Sequence, residues 1–398
     1  MKIDNIKYYI ENNSNKKHRF NGFTDEVAES VFFDIHDDHW HYYDMGLMNR
    51  VFEEIDTIPD QERFYYPIVF VRSDMKDMVD EHLIIPTNII ESVKKGQCLI
   101  LVQSVQEGWT YHTFIDHFIN AIIKKYDFED EHFVLMTGNY HEHERFKTVY
   151  HSVWEIGMPY HWNSDTPSML DKIRPYKYIC LNRRPEMHRM AITTFLSQSK
   201  QPGILTMSLT GGYGGDPWAP LEEDFSNRFP ELINVYNENV KPNLPLTYDD
   251  GIDPETYNPN YDNKVEKFHQ SYLHIVTETN HSHTQLFFSE KIFKPIVHWQ
   301  PFVIVGNPGS LALLKEFGYK TFGDYIDESY DRDVDVESRL RKIFQAVTEF
   351  INKPAEELTR LMQEMLPIFE HNMNHLRARS ETIFFDKTRS KLQEYLND

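Results

Sequence analysis

Residues 271–309 read SYLHIVTETNHSHTQLFFSEKIFKPIVHWQPFVIVGNPG, and this stretch decides the predicted fold. Its first run, 272–277, is a short apolar segment between polar residues, which is typical of a buried strand. A second apolar run, 302–305, ends in a Gly-Asn-Pro-Gly turn. Between them lies a helical pattern that begins near Ser289 and contains Pro295, which should keep the helix short. Strand, helix and strand in this order predict a parallel α/β sheet.

Polar side chains follow the first of these strands, at the position where open α/β sheets bind their ligands. Glu278 and Asn280 come just after the strand. Ser289 is the predicted N-cap of the helix, and Glu290 and Lys291 occupy its first turn. Helix amino ends attract anions, and Lys291 adds a compact positive charge. The stretch therefore predicts a pocket for a ligand that carries phosphate.

A second candidate binding element is CLNRRPEMHR, residues 180–189. It places Asn182, Arg183 and Arg184 just after a predicted strand, 178–181. Guanidinium groups bind two phosphate oxygens at once and stay charged. Taken alone, a solvated turn whose arginines pair with surface acids explains the pattern equally well. The predicted phosphate pocket favours the binding role.

Strand and helix patterns alternate along the chain, which favours the α/β class. The strand-like runs are 66–71, 98–103, 132–136 and 178–181. The helical patterns are 88–95, 111–126, 334–350 and 355–396. We predict two α/β domains, 1–168 and 169–398, with the boundary near Asp165 to Arg174. A single larger doubly wound domain is the alternative.

Composition narrows the class of protein. A chain of 398 residues with 40% hydrophobic and 14% aromatic residues is long enough for two packed interiors. The net charge of −21 argues against a protein that coats nucleic acid or an anionic membrane. Cys98 and Cys180 lie in apolar runs and are predicted to be reduced core residues. With no signal-peptide pattern and no apolar stretch of membrane-spanning length, we expect a cytoplasmic protein of bacterial or viral origin.

The stretch 271–309 also resembles a known family. Its order of strand, Glu-x-Asn, loop, Ser-Glu-Lys helix, Pro, apolar strand and Gly is similar to the donor-binding half of the α1,3-fucosyltransferase family and related GT-B glycosyltransferases. In that family the acid after the strand and the Glu-Lys pair contact the ribose and phosphates of a nucleotide sugar. The resemblance therefore implies that role for Glu278, Asn280, Ser289, Glu290 and Lys291.

The same resemblance implies a fold and an activity. The fold would be GT-B-like, with two Rossmann-like domains facing across a cleft and helices at the end of the chain. The activity would be inverting transfer of a sugar from a nucleotide sugar to a hydroxyl group of a glycan or another acceptor, with no metal and no further cofactor. Phe-Phe-Ser stands here where the family usually has Tyr-Val-Thr, and the chain departs from the family beyond Gly309. The base and the sugar of the nucleotide sugar are therefore left open.

Inverting transfer requires a general base that takes the proton from the acceptor hydroxyl. Our candidate is Glu107, which follows the apolar run 98–105 and would lie at a strand end of the first domain, facing the cleft. An ordinary exposed carboxylate at a turn explains Glu107 equally well on its own. Asp37 and Asp38 are reserve candidates for the same role.

Asp37 and Asp38 belong to FFDIHDDHWHYYD, residues 32–44, where His and Asp are as dense as in a metal site. No paired spacing such as His-Glu-x-x-His occurs, so contact with an acceptor sugar or simple packing is favoured over metal binding. His281 and His283 fall inside the predicted pocket stretch and are further polar candidates. The glycines of 211–215 indicate a loop that could act as a lid.

Two other functions stay open beside the transferase. One is a non-catalytic protein that binds nucleotides or carbohydrates with the same fold. The other is a transferase that adds sugar to modified bases of phage DNA, which would need a basic groove that the net charge does not indicate.

Overall fold

The computed structural model describes residues 6–9, 52–70, 73–105, 108, 111–161, 170–208, 218–247, 265–282, 285–382 and 387–398. They form two compact units. The first unit runs to Gly157 and also includes Ala378–Asp398, and the second unit runs from Met158 to Arg377. The predicted boundary between 168 and 169 falls in a segment outside the described residues and stays a prediction.

The first unit is built on a parallel sheet whose strand order is β2-β1-β3-β4-β5-β6. Its strands are β1 (Ile6–Tyr9), β2 (Phe52–Ile55), β3 (Phe64–Val69), β4 (Cys98–Ser104), β5 (Phe133–Thr137) and β6 (Lys147–Tyr150). The helices in this part of the chain are α1 (Val79–His82), α2 (Thr87–Lys94), α3 (Asp116–Tyr126) and α4 (Val153–His161). Every residue of β4 is buried, as its continuous apolar run predicts for a strand of a parallel sheet.

Helical periodicity explains how α2 and α3 cover this sheet. Ile89 and Val93, four residues apart on α2, lie in the same core cluster as Phe118 and Ile122 of α3. A π-helical turn over Tyr111–Ile115 precedes α3, so the helical pattern predicted for 111–126 consists of this turn and a regular helix.

The second unit contains a parallel sheet with the strand order β10-β9-β7-β8. The strands are β7 (Tyr176–Leu181), β8 (Gly203–Thr206), β9 (Ser271–Thr277) and β10 (Phe302–Val305). The helices that follow α4 are α5 (Met187–Ser197), α6 (Trp218–Arg228), α7 (Ile233–Val235), α8 (Val265–His269), α9 (Glu290–Val297), α10 (Ser310–Glu316), α11 (Val336–Ile351), α12 (Ala355–Glu364) and α13 (Leu366–Thr382). Because β7, β9 and β10 are parallel, the residues that follow them lie at one edge of the sheet.

The last helix, α14 (Arg389–Asn397), packs in the first unit. The Tyr65 hydroxyl donates to the Leu392 carbonyl at 2.7 Å, and Arg63 Nη1 donates to the Leu396 carbonyl at 2.7 Å. Arg379 forms a buried ion pair with Glu155 of the same unit. The chain therefore returns to the first unit within α13, at Ala378.

The two parallel sheets and their helices confirm the predicted α/β class. The single long helical pattern predicted for 355–396 is wrong in its continuity, because α12 ends at Glu364 and α13 begins at Leu366. Pro367 lies in the first turn of α13, where its missing N–H is tolerated.

Candidate functional site

The amino end of α9 is linked directly to the acid that follows β9. Ser289 has extended backbone angles and caps the helix, since its Oγ accepts a hydrogen bond from the Lys291 backbone N–H at 3.3 Å. The Ser289 hydroxyl in turn donates to Glu278 Oε2 at 2.7 Å. Lys291 Nζ lies 3.2 Å from Ser289 Oγ and 2.9 Å from Glu290 Oε1. The structure therefore brings together four of the residues predicted to bind the nucleotide sugar.

The backbone of β10 makes room for Glu278. The Glu278 N–H donates to the Val305 carbonyl at 3.0 Å, so the residue continues the ladder between the two strands. A Cβ at Gly306 would lie 3.2 Å from Glu278 Cβ and 3.1 Å from Ile304 Cγ2, closer than side chains normally approach. Glycine at 306 therefore permits the position of the acid.

Two basic residues of α5 contact the backbone of the same acid. His188 Nε2 donates to the Glu278 carbonyl at 3.0 Å, because a carbonyl oxygen can only accept, and this leaves Nδ1 as the accepting nitrogen of the neutral ring. Arg189 Nη2 donates to the same carbonyl at 3.2 Å, and its Nη1 donates to the Arg184 carbonyl at 3.2 Å. Both side chains are buried. The CLNRRPEMHR segment is thereby held against the loop after β9.

A third basic residue, Arg339 of α11, holds the next part of this loop. The buried Arg339 guanidinium donates to the carbonyls of Asp333, Val334 and His281. The His281 ring stacks on the ring of His188, with 4.1 Å between centroids and 24° between planes. Arg339 was not identified from the sequence, where it is one of several charged residues of an amphipathic helix.

Burial and charge set the protonation of the two acids in opposite directions. Burial raises the pKa of Glu278, and the nearby Lys291 and the Ser289 hydroxyl only partly offset it. Burial also acts to raise the pKa of Glu290, but the positive charges of Lys291 and Lys294 hold that pKa below its usual value. Glu290 is thus the charged partner of Lys291, while Glu278 is shifted toward the neutral form.

The basic residues are also affected by burial. The pKa of His188 lies well below its usual value because burial, the neighbouring His281 and the charge of Arg189 all disfavour the protonated ring. Burial lowers the pKa of Arg189 as well, against the attraction of Glu186 and Glu278.

Three polar atoms at this site are buried and have no hydrogen-bond partner among the described residues. They are Glu278 Oε1, His188 Nδ1 and Arg189 Nε. Buried polar groups in folded proteins are nearly always paired, so such atoms mark a place where a ligand or water completes the bonding. Among these atoms, His188 Nδ1 is an acceptor and Arg189 Nε carries a donor N–H of a cation. Glu278 Oε1 is an acceptor when the acid is ionised and can carry the hydroxyl proton when the acid is neutral.

Asn182, Arg183 and Arg184 differ in their surroundings. The side-chain amide of the buried Asn182 donates through Nδ2 to Cys180 Sγ at 3.3 Å and to Thr193 Oγ1 at 3.2 Å. Its Oδ1 accepts from the Thr277 hydroxyl at 2.6 Å. The side-chain contacts that the structure shows for Asn182 are therefore with protein atoms of β7, α5 and β9. Arg183 is half-buried and Arg184 is exposed. Binding of the nucleotide sugar by these three residues stays a prediction.

The remaining predicted candidates are Asn280 and several residues that the structure does not describe. Asn280 is half-buried just after Glu278, at the same edge of the sheet. Glu107, Asp37, Asp38, His283 and the glycines of 211–215 lie outside the described residues. In the part of the chain that the structure describes, no group of three or more His, Cys, Asp or Glu residues is arranged to hold a metal ion. No helix among the described residues is long and apolar enough to cross a membrane.

Comparison with known proteins finds similar structures but no match in sequence. No model of a protein family matches the chain, and no curated protein matches it in sequence. Among solved structures it is similar to the E. coli trehalose-6-phosphate structure with bound UDP-2-fluoro glucose, at 10% identity and a TM-score of 0.38, over 91% of this chain and 79% of the other. It is also similar to a UDP-forming α,α-trehalose-phosphate synthase from Burkholderia xenovorans, at 8% identity and a TM-score of 0.32, over 82% and 69% of the two chains.

Proposed function

We propose that the chain is a glycosyltransferase that takes its sugar from a nucleotide sugar, bound at the carboxyl end of the second unit's sheet. The observation that carries the proposal is the linkage of Glu278, Ser289, Glu290 and Lys291 at the start of α9. A strand end and a helix amino end meet there, which is where α/β proteins bind phosphate-bearing ligands.

The three unpaired atoms, together with the Lys291 ammonium, suit the two chemical parts of such a ligand. Glu278 Oε1 and His188 Nδ1 can bond hydroxyl groups of a ribose or a sugar, whereas Arg189 Nε and the Lys291 ammonium can bond phosphate oxygens. Burial of Glu278, His188 and Arg189 excludes water and strengthens each electrostatic contact with the ligand. The proposed resemblance to α1,3-fucosyltransferases rests on Glu278 and Lys291 of this set, together with Asn280, Ser289 and Glu290.

For the chemistry we propose inverting, metal-independent transfer with Glu107 as the general base, and Asp37 or Asp38 as reserve candidates. Glu290 is unsuited to that role, because it is buried and its carboxylate is bonded to Lys291. Glu278 is committed to Ser289 through Oε2. Neither of these two acids therefore suits the role, which favours a base from another part of the chain.

Calorimetric titration of the full chain with GDP, UDP, CDP and ADP tests the proposal. We expect one nucleoside diphosphate to bind, and Lys291→Ala to weaken it by about 1.5–3 kcal/mol, the range for a charge-assisted hydrogen bond. Lys291→Arg keeps the positive charge and should retain most of the affinity. Lys320→Ala, which removes an exposed lysine of the same unit, is the matched control and should bind as the parent does.

Thermal unfolding of each variant separates binding from folding, because Lys291 also neutralises a buried acid. If Lys291→Ala is folded and binds every nucleotide as tightly as the parent, the pocket is placed wrongly. If no nucleoside diphosphate is released from a panel of sugar nucleotides with mixed acceptors, the transferase assignment fails.

A further inference from the structure

The opposite end of the same sheet contains a buried arginine in an unusual setting. Arg174 lies two residues before β7, and its side chain is only 3% exposed. Its Nη1 donates to the Ser271 carbonyl at 2.6 Å, and its backbone N–H donates to the Tyr272 hydroxyl at 3.0 Å. The guanidinium carbon lies 5.7 Å from the centre of the Tyr272 ring. The first residues of β9 therefore fix the orientation of this guanidinium group.

The other side of the guanidinium is left without an acceptor. Nε and Nη2 of Arg174 are buried and have no hydrogen-bond partner among the described residues, and none of the carboxylates described forms an ion pair with it. These two N–H groups lie side by side on one edge of the planar group. That edge matches two oxygens of a phosphate or a carboxylate.

A buried charge without a counter-ion is unfavourable. Burial lowers the pKa of Arg174 to about 10, which still leaves the group positively charged near neutral pH. A guanidinium group that is charged, held in one orientation and removed from water can bind two oxygens of an oxyanion strongly.

His269 and Gln300 complete the surroundings. Gln300 Nε2 donates to the Ser271 carbonyl at 2.9 Å, so the acceptor that orients Arg174 is itself held from a second direction. His269 is half-buried, and its Nε2 has no hydrogen-bond partner among the described residues. His269 lies two residues before Ser271, whose carbonyl accepts the hydrogen bond from Arg174 Nη1, and burial and the charge of Arg174 lower the pKa of His269.

This arrangement is separate from the pocket proposed above. Ser271 is the first residue of β9, and Glu278 follows its last residue. A strand of seven residues spans about 23 Å at roughly 3.3 Å per residue. The residues of the two ends can therefore be changed independently.

We propose that Arg174, flanked by His269, binds a small oxyanion at the amino end of the second unit's sheet, with Nε and Nη2 donating to two of its oxygens. Because Arg174 is buried, we expect a small phosphate or carboxylate group to be the part of a ligand that reaches its guanidinium. This site is additional to the nucleotide-sugar pocket and does not depend on that proposal.

The test is binding of inorganic phosphate, measured by calorimetry on the full chain at constant ionic strength set with chloride. Arg174→Lys keeps the charge but lacks the two-pronged edge, so we expect its affinity for phosphate to fall at least about tenfold. Lys291→Ala should bind phosphate at this end as the parent does. His269→Gln removes only the flanking imidazole and should weaken binding by a smaller factor, so the test survives if Arg174→Lys fails to fold.

Acetate in a parallel titration identifies the chemistry. If the parent binds phosphate but not acetate, the Arg174 site is specific for phosphate. If it binds acetate equally well, the site accepts carboxylates. Either assignment requires that the binding is lost in Arg174→Lys. The proposal is overturned if the parent binds neither anion. It is also overturned if binding survives in both Arg174→Lys and His269→Gln, or if Lys291→Ala alone abolishes it.

Discussion

The two ends of the second unit's sheet both contain buried ionisable groups, but the charges around these groups differ. At the carboxyl end, Lys291 neutralises Glu290 directly, and Arg189 is attracted to Glu278. At the amino end, the charge of Arg174 lowers the pKa of His269, and His269 and His274 lower that of His298. No acid is among the charges that shift the pKa values of Arg174 and these three histidines in the described part of the chain.

This difference decides what each end can do. Opposite charges let the carboxyl end keep acids and cations buried and in place before any ligand arrives, which is the preorganisation that recognition requires. At the amino end the histidines avoid the cost of burial by staying neutral: burial and Lys294 lower the pKa of His274 to about 3. Arg174 cannot become neutral near pH 7, so it is the group there that requires an anion.

The largest effect that we expect is that of Glu107→Gln, which tests whether different residues carry out binding and chemistry. If the carboxyl end only binds, Glu107→Gln should lower turnover by about a hundredfold or more, roughly 2.7 kcal/mol in the barrier, because the variant loses only the proton transfer. Affinity for the nucleoside diphosphate should stay near that of the parent. Steady-state kinetics and calorimetry on the same preparation give both quantities.

Lys291→Ala provides the opposite pattern, with weaker nucleotide binding as its primary defect. If Glu107→Gln retains full turnover, the base lies elsewhere, and Asp37→Asn and Asp38→Asn become the next variants to measure. If Glu278→Gln instead reproduces the loss of turnover at unchanged affinity, the carboxyl end takes part in the chemistry itself.

Local patterns in the sequence were sufficient to predict the elements around this end. The apolar run predicted a strand over 272–277, and β9 spans Ser271–Thr277. The N-cap at Ser289 and Pro295 predicted a short helix, and α9 ends at Val297. Both features depend on neighbours along the chain, namely burial of consecutive residues and satisfaction of the first N–H groups of the helix.

The contacts between distant residues could not be predicted in the same way. Arg189 and Glu278 are 89 positions apart, and Arg339 and His281 are 58 apart, so only the packing of α5 and α11 brings them together. Asn182 illustrates the same difficulty. Its position after a strand suggested ligand binding, whereas its amide is bonded to Thr193 and Thr277 in the interior.

The second prediction concerns acidification, which should lower the stability of the folded chain through His274 at the amino end of the sheet. The pKa of His274 is lowered from 6.5 to about 3 in the folded chain, so between these values the unfolded chain binds a proton that the folded chain does not. Stability is therefore lost as the pH falls below 6.5. From pH 7 to pH 5 this group alone should cost about 2 kcal/mol, at roughly 1.4 kcal/mol per pH unit.

His274→Gln removes the titration while keeping a side chain that can form hydrogen bonds, and it should lose about 2 kcal/mol less than the parent over the same pH interval. Urea unfolding at pH 7 and pH 5 measures the difference. Other buried histidines, such as His151 with a pKa lowered to about 4, keep a remaining slope in both proteins. A variant whose stability falls as steeply as that of the parent would show that His274 is protonated in the folded chain.

The smallest effect should come from Gly306→Ala, which tests whether nucleotide binding depends on the position of Glu278 at the carboxyl end. A methyl group at 306 would lie 3.2 Å from Glu278 Cβ and 3.1 Å from Ile304 Cγ2, so one of these neighbours must move by a few tenths of an ångström. We expect Gly306→Ala to cost about 1 kcal/mol of unfolding free energy, at the low end for overpacking. Because Glu278 is part of the Ser289 and Lys291 linkage, its displacement should also weaken nucleotide binding by about fivefold, or ~1 kcal/mol. Calorimetry and urea unfolding separate the two effects: reduced stability with unchanged affinity would show that Ile304 yields and Glu278 stays in place, whereas reduced affinity would tie recognition to the position of this one carboxyl group.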